Sequence, residues 1–162
     1  MLIGKLCSRE VVVIEAHETV VEAARLLAEH HVGCLVVVSR SGGDENKAVA
    51  AREPVGIVTD RDITLRAVAH GAERIESRKV EEIMTRQLLT AYEEEDLYDV
   101  LKQMRSRGVR RVPVLNDNDM LVGILAHDDV LDWLAEEVWD LTRLLARERD
   151  HERDGTHLGP SD

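Results

Sequence analysis

Apolar residues recur along this chain in two rounds of one pattern. After Thr19, apolar positions fall three and four residues apart, as they do on one face of a helix. Thr19 followed by Glu22 three residues later predicts a capping box at the start of that helix. Two short apolar runs come next, at residues 34–38 and 55–58, and the spacing becomes helical again after Asp62. Each round therefore predicts the order strand, helix, strand, strand, helix.

The second round can be aligned with the first residue by residue. Ile3 corresponds to Val80, an offset of 77, whereas Gly56 corresponds to Gly123, an offset of 67. The ten additional residues of the first round lie in its hairpin loop, residues 39–54, which we expect to be mobile. Self-similarity of this kind indicates that two copies of one supersecondary unit form the fold.

The ends of the helices are expected to follow the same rules in both rounds. The first helix is expected to end near Gly33, by the same glycine device as its counterpart, for which Gly108 supplies the left-handed exit. Asp96 is expected to cap the start of that counterpart. Neither copy is large enough to bury both faces of its sheet alone. We therefore expect one α/β (α+β) module, in which two β-α-β-β-α repeats pack with pseudo-twofold symmetry, followed by a C-terminal helix. The predicted boundaries are a first repeat at 1–71, a linker at 72–79, a second repeat at 80–135, a helical extension at 136–149 and a disordered tail at 150–162.

Composition excludes several classes of protein. The formal charge of −11 argues against sequence-independent binding of nucleic acid, which rewards a basic face. No apolar stretch reaches the length of a membrane span. The two cysteines, Cys7 and Cys34, have no zinc-binding spacing and do not suggest a disulfide framework. We therefore expect a cytoplasmic protein that binds neither nucleic acid nor membrane and requires no metal.

The two rounds close on related octapeptides, Gly-Ile-Val-Thr-Asp-Arg-Asp-Ile at 56–63 and Gly-Ile-Leu-Ala-His-Asp-Asp-Val at 123–130. Together with Val112-Pro113-Val114 and the paired opening segments at 3–8 and 80–85, they make residues 3–135 resemble a tandem pair of cystathionine β-synthase (CBS) domains, a Bateman module. The resemblance implies a regulatory protein without catalytic activity, whose adenosine-containing ligands bind in clefts between the repeats. It also implies a Thr or Ser after the last strand that contacts phosphate, and an Asp three residues later that holds the ribose hydroxyls.

Thr59 and Asp62 match that pattern in the first repeat, and Asp129 matches it in the second, where Ala126 lacks the hydroxyl. The residue types also suit the chemistry. A hydroxyl and free backbone N–H groups at a helix start attract an anion, and an ionised carboxylate accepts hydrogen bonds from a ribose. Each has a structural alternative, because Thr is a common N-cap and Asp a common first-turn residue. Their combination in a repeated motif favours binding over capping alone.

Charged neighbours make the two predicted clefts unequal. Arg61 supplies positive charge beside Thr59, whereas Asp128 at the matching place in the second repeat repels phosphate. His127 compensates for that repulsion only when it is protonated. The first cleft is therefore expected to bind the charged end of a nucleotide more tightly than the second.

Four arginines stand close together in this acidic chain, at positions 105, 107, 110 and 111. Arg105 and Arg107 are equally well explained as a solvated helix end, whose positive charges suit the C-terminal dipole. Arg110 and Arg111 are the better candidates to hold a polyphosphate.

AMP, ADP or ATP is the expected ligand, with NAD or S-adenosylmethionine as an alternative, because an aspartate that holds ribose does not distinguish among them. A different hypothesis is a structural dimerisation or adaptor module with vestigial clefts. The chain contains no Walker loop, dinucleotide fingerprint or Gly-x-Ser-x-Gly motif, so the sequence predicts no enzyme. The predicted partners are the adenosine ligand, a second copy in a homodimer, and a regulated protein that the sequence does not identify.

Apolar residues continue at a spacing of three and four beyond the second closing motif. They are Leu131, Leu134, Val138, Leu141 and Leu145. This stripe covers about two heptads, which is shorter than the three or four that establish a coiled coil. Packing of the helix on its own module and contact with a second copy or another partner explain the spacing equally well.

Overall fold

The computed structural model of the protein describes residues 1–39, 53–69 and 75–155. The chain divides into two compact units, Met1–Ala126 and His127–Asp162. The strands are β1 (Val13–Glu15), β2 (Cys34–Val38), β3 (Pro54–Thr59), β4 (Ala91–Tyr92), β5 (Arg111–Leu115) and β6 (Leu121–Ala126). The helices are α1 (Val20–Glu29), α2 (Asp60–Asp62, continued by a π-helical stretch at Ile63–Val68), α3 (Leu97–Arg107) and α4 (His127–Gly155), and short 3-10 turns lie at Ile3–Lys5 and Val80–Glu82.

The predicted α/β class and the order of elements in each repeat are confirmed. Two three-stranded sheets form, with the strand orders β1-β2-β3 and β4-β5-β6. In each sheet the first pair of strands is parallel and the second pair is the predicted antiparallel hairpin. The two hairpins have equivalent registers, in which Leu35 faces Val58 and Val112 faces Leu125.

The two repeats of the first unit share a core. Val36 and Val38 of β2 cluster with Leu115 and Leu121 of the second sheet. Both valines are fully buried, as the continuous apolar character of this strand predicts for a strand that is covered on both faces. Burial of β2 therefore depends on the presence of the second repeat.

Each opening segment packs on the opposite repeat. Ser8 and Ile124 exchange backbone hydrogen bonds of 3.0 and 2.9 Å, which join the first opening segment to β6. Thr85 and Ile57 exchange bonds of 2.8 and 3.0 Å, which join the second opening segment to β3. Neither repeat therefore packs as a separate unit with the boundaries that the sequence suggests. The first residues of each repeat pack on the other repeat.

Gly56 and Gly123 make room for this exchange. A Cβ atom at Gly56 would lie 2.5 Å from Met84 Sδ, and one at Gly123 would lie 2.8 Å from Cys7 Sγ and 2.9 Å from Ser8 O. Real Cβ contacts are essentially never that short. The glycine that begins each closing motif therefore avoids a short contact where the opening segment of the other repeat crosses the strand, with backbone at Gly123 and with a methionine side chain at Gly56.

Glycine was predicted to end both α1 and α3, and the prediction is confirmed only for α3. Gly108 has φ 64° and ends α3 as predicted, but α1 already ends at Glu29, and its left-handed residue is His31, with φ 53°. The prediction that Gly33 ends α1 is therefore wrong. Histidine is among the non-glycine residues that enter the left-handed region more readily, and it turns the chain before Gly33 is reached.

In the second unit, the described residues form α4. The helix passes through the predicted boundaries at residues 135 and 149 without a break and continues to Gly155. All five residues of the predicted stripe are exposed, from 44% at Leu134 to 60% at Val138 and Leu141. Most of the predicted mobile loop, 39–54, lies outside the described residues, which omit 40–52. Of the predicted disordered tail, 150–162, residues 150–155 belong to α4 and the rest lie outside the described residues.

Candidate functional site

Thr59 ends β3 and caps the short helix that follows. Its Oγ1 accepts a hydrogen bond from Asp62 N at 3.1 Å and donates one to Asp62 Oδ2 at 2.7 Å, while Thr59 N donates to the same Oδ2 at 3.0 Å. These bonds form a capping box. Thr59 and Asp62 therefore cap the helix, which was the structural alternative to ligand binding. Capping does not exclude that a ligand also binds there.

Two backbone amides at this helix start already have hydrogen-bond acceptors, contrary to the expectation of free N–H groups there. Arg61 N donates to the side chain of Asp60 at 2.7 Å, and Asp62 N donates to Thr59 Oγ1. Asp60–Asp62 is also only three residues long before the π-helical stretch begins. An anion at this place would therefore depend mainly on side-chain cations and little on the helix dipole.

The second carboxylate oxygen of Asp62 faces Arg66, which lies three residues beyond the closing motif 56–63. Arg66 Nε lies 3.3 Å from Asp62 Oδ1, and Arg66 Nη1 donates to Ile83 O at 2.8 Å. The side chain of Asp62 is only 15% exposed. The signal was available in the sequence, because position i+4 on a helix lies on the same face as position i.

A cavity of about 400 Å³ opens beside Thr59, within the first unit, and both repeats line it. Its lining residues are Ile57, Thr59, Asp60, Arg61, Asp62, Thr85, Gln87, Leu88, Leu89, Gly108, Val109, Arg110 and Arg111. The volume lies in the range of about 300–1,000 Å³ that is typical of small-molecule sites. The structure thus brings together five of the seven predicted site residues, those at positions 59, 61, 62, 110 and 111.

Arg111 reaches from the second repeat toward the first. Its Nη2 lies 3.4 Å from the place that a Cβ atom of Gly33 would occupy. Its charge also acts on the Cys34 thiol, whose pKa is raised by burial, lowered in part by Arg111 and raised further by Asp60. Arg111 therefore lines the cavity and also lies close to the start of β2, which is outside the lining.

Arg105 and Arg107 are exposed in the last turn of α3. They lie outside the residues that line the 400 Å³ cavity. Their position agrees with the interpretation as a solvated helix end. Of the four clustered arginines, only Arg110 and Arg111 belong to the candidate site.

The other predicted site residues lie in the second unit. Asp128 and Asp129 are in the first turn of α4. His127 Nε2 lies 3.2 Å from Asp128 Oδ1. The roles of His127 and Asp129 in ligand binding stay predictions.

A larger cavity, of about 810 Å³, lies where the hairpins of the two repeats turn. Its lining residues are Ser39, Glu53, Pro54, Val55, Arg86, Leu88, Thr90, Tyr92, Leu115, Asn118, Asp119 and Met120. Residues 86 and 90 line this cavity, whereas residues 85, 87 and 89 line the smaller one. Leu88 lines both cavities, which therefore adjoin at this residue.

Within the described ranges, no group of three or more His, Cys, Asp or Glu side chains is placed to hold a metal ion. No helix in the part of the chain that the structure describes has the length and apolar character needed to cross a membrane.

Comparison with known proteins identifies the family. The model of the CBS domain matches residues 3–68 and again residues 80–136. These two matches cover most of the chain and coincide with its two repeats. The protein therefore belongs to the CBS domain family and contains a pair of such domains, which typically serve as regulatory ligand-binding modules and are generally non-catalytic.

Several relatives share this architecture. The uncharacterised protein MK0525 of Methanopyrus kandleri is 31% identical over 129 residues, which are 80% of this chain and 60% of that protein. The CBS domain-containing protein YhcV of Bacillus subtilis is 32% identical over 121 residues, which are 75% of this chain and 76% of YhcV. The chain thus spans less than two thirds of the Methanopyrus relative and about three quarters of the Bacillus one.

A solved structure supports the same conclusion. The CBS domain pair of protein MJ0100, in complex with 5′-methylthioadenosine and S-adenosyl-L-methionine, superposes with a TM-score of 0.68 at 28% identity. The match covers 85% of this chain and 98% of that chain. That protein therefore binds adenosine-containing ligands on the same fold.

Proposed function

We propose that this protein is a regulatory sensor that binds an adenosine nucleotide, AMP, ADP or ATP, in the 400 Å³ cavity beside Thr59. Asp62 accepts hydrogen bonds from the ribose hydroxyls. The phosphates lie toward the arginines, and the base packs against apolar lining residues such as Leu89 and Val109. Occupancy then changes how the protein acts on a regulated partner.

The observation that carries this proposal is the convergence of three arginines at one cavity of an acidic protein. Arg61 comes from the first repeat, and Arg110 and Arg111 come from the second. Arginine is suited to phosphate, because its planar guanidinium donates to two oxygens at once. A phosphate bound between them would contact both repeats, which links ligand binding to the packing of one repeat on the other.

S-adenosylmethionine or 5′-methylthioadenosine is a second candidate ligand, supported by the complex of the MJ0100 domain pair. Both contain a ribose that Asp62 would accept equally well. Neither carries a phosphate, so the arginines would gain no partner from them. We therefore rank the phosphorylated nucleotides first.

A structural module with vestigial clefts is the third candidate, and the capping box favours it. Thr59 and Asp62 already satisfy each other without a ligand. Their presence in the motif therefore has a structural explanation. The capping box does not explain why Arg110 and Arg111 line the cavity, because neither arginine takes part in it.

Calorimetric titration with AMP, ADP, ATP, NAD, S-adenosylmethionine and 5′-methylthioadenosine tests the proposal. We expect phosphorylated nucleotides to bind more tightly than 5′-methylthioadenosine, and the first site to be filled through Thr59 and Asp62. Asp62→Asn should weaken AMP binding by about 1.5–3 kcal/mol, the range for a hydrogen bond to a charged group. Asp99→Asn, an exposed aspartate of α3, is the matched control. If none of the six ligands binds at millimolar concentration, the structural module is the better interpretation.

We also propose that the protein acts as a homodimer, with the exposed stripe of α4 as a contact surface. Five apolar side chains at heptad spacing are exposed together on this helix. Large exposed apolar patches on soluble proteins mark interaction sites. Sedimentation of the double variant Leu134→Asp, Leu141→Asp should show a smaller species than the wild type. Replacing Glu136 and Asp140, which belong to the polar side of α4, with alanine should leave the mass unchanged.

A further inference from the structure

Arg66 joins the proposed ligand site to the second opening segment. Its Nε contacts the Asp62 carboxylate at 3.3 Å, and its Nη1 donates to Ile83 O at 2.8 Å. Ile83 stands two residues before Thr85, which lines the cavity and pairs with Ile57 of β3. A single guanidinium therefore contacts both the carboxylate proposed to hold ribose and the backbone that leads into another part of the cavity wall.

The bonds on Asp62 fix the rotation of its carboxylate. Oδ2 accepts both bonds from Thr59, and Oδ1 faces Arg66. A carboxylate offers about four acceptor positions, so these three contacts leave capacity for a ligand hydroxyl. Without Arg66, only one of the two oxygens would have a protein contact among these bonds, and the position of the other would be less well determined.

Arg66 is itself held in place from a second direction. Arg78 Nη1 donates to Arg66 O at 2.8 Å, and Arg66 belongs to the π-helical stretch Ile63–Val68. Single π-helical turns occur frequently at functional sites. Two arginines thus connect this short helix with the segment that opens the second repeat.

We infer that Arg66 is a positioning residue for ribose recognition, which orients the Asp62 carboxylate and acts on the ligand only through it. The inference rests on the proposed function. It adds a residue outside the closing motif and outside the lining of the cavity. It also makes a specific claim, because a residue that acts through the ribose contact must affect ligands with and without ribose hydroxyls differently.

The test compares AMP with 2′,3′-dideoxy-AMP, which lacks both ribose hydroxyls, by calorimetry on the full chain. Arg66→Met should lower the affinity for AMP about tenfold, as for the loss of an ordered charged contact, and change the affinity for the dideoxy ligand little. Arg66→Lys keeps the charge and should retain part of the discrimination. Arg25→Met is the matched control, since Arg25 also pairs with an acidic residue of its own helix, Glu22, but does not line the cavity.

Three results would overturn the inference. An equal loss of affinity for both ligands in Arg66→Met would show a merely structural role, and thermal melting of each variant checks that they fold. Unchanged affinity for AMP in Arg66→Met would show that Arg66 plays no part in binding. If the wild type binds neither ligand, the proposed nucleotide binding itself fails. That failure is distinguished from failure of the Arg66 inference because it is seen in the wild type, without any variant.

Discussion

Thr59 and Asp62 hydrogen-bond to each other in both directions. Asp62 N donates to Thr59 Oγ1, and the Thr59 hydroxyl donates back to Asp62 Oδ2 at 2.7 Å. The Thr59 hydroxyl, which was expected to donate its proton to a phosphate, therefore already donates it to Asp62. A ligand phosphate at Thr59 must either accept from the arginines alone or draw the hydroxyl away from the carboxylate.

Replacing Thr59 separates its two roles. Thr59→Ala removes the N-cap and should lower the free energy of unfolding by about 0.5–2 kcal/mol, whereas Thr59→Ser keeps the hydroxyl and should change it little. Urea denaturation measures both. Ser106→Ala removes a hydroxyl at an exposed position of α3 and serves as the control. A Thr59→Ala protein as stable as the wild type would show that the capping box contributes nothing to folding.

Arg110 should contribute to binding only through phosphate. Arg110→Gln should weaken AMP binding by about 1.5–3 kcal/mol, the range for a charged hydrogen bond, and leave the binding of adenosine nearly unchanged. The ratio of the two affinities, measured by calorimetry, reports the effect. Arg107→Gln removes an equal charge outside the cavity lining and should leave the ratio as it is. A ratio that responds equally to both substitutions would indicate a general charge effect.

The two closing glycines should differ in their tolerance of a side chain. Gly123→Ala brings a methyl group to 2.9 Å from the backbone oxygen of Ser8, which can yield only if the opening segment moves. Gly56→Ala meets chiefly the flexible side chain of Met84. We expect Gly123→Ala to lower the free energy of unfolding by about 1–3 kcal/mol, and Gly56→Ala to lower it less. Urea denaturation of both variants gives the comparison, and the reverse order would contradict this account of the exchange.

The Cys34 thiol should react slowly with alkylating reagents. Burial is the main reason that its pKa is raised, and Arg111 opposes the shift. Because the thiolate is the reactive form, iodoacetamide should modify Cys34 more slowly at about pH 8 than it modifies a free cysteine. Arg111→Gln removes the opposing charge and should slow the reaction further. Mass spectrometry of the peptide that contains Cys34 follows the reaction site by site.

The same raised pKa has a consequence for stability. A thiol whose pKa is higher in the folded state stabilises the fold fully below the unfolded pKa of about 8.5, and this contribution is lost as the pH rises through the folded pKa. The free energy of unfolding of Cys34→Ser should therefore fall less than that of the wild type in alkaline solution. Equal alkaline loss in both proteins would exclude Cys34 as the cause.

Local patterns in the sequence predicted the elements well. Thr19 and Asp96 are the N-caps of their helices as predicted, although the Glu22 carboxylate pairs with Arg25. Both predicted hairpins form. The error at the end of α1 has a local cause, since His31 enters the left-handed region before Gly33 is reached. Glycine was the reasonable expectation, because it takes that conformation without steric cost.

The contacts between distant segments could not be predicted in the same way. Ser8 pairs with Ile124, and Arg66 contacts Ile83. Nothing in the periodicity of one segment specifies its neighbour in space. Candidate ligand residues were found because they belong to a repeated motif, whereas Arg66 lies outside the motif and became visible only through its distance from Asp62.

The exchange of opening segments gives this single chain the structure of a domain-swapped dimer whose two halves have been fused. An isolated half would lack the segment that crosses its last strand, and the strand edge beside Gly56 or Gly123 would be left without a partner. Two identical halves could each supply that segment to the other. Joining the halves in one chain therefore makes each exchange intramolecular, so that it does not depend on protein concentration.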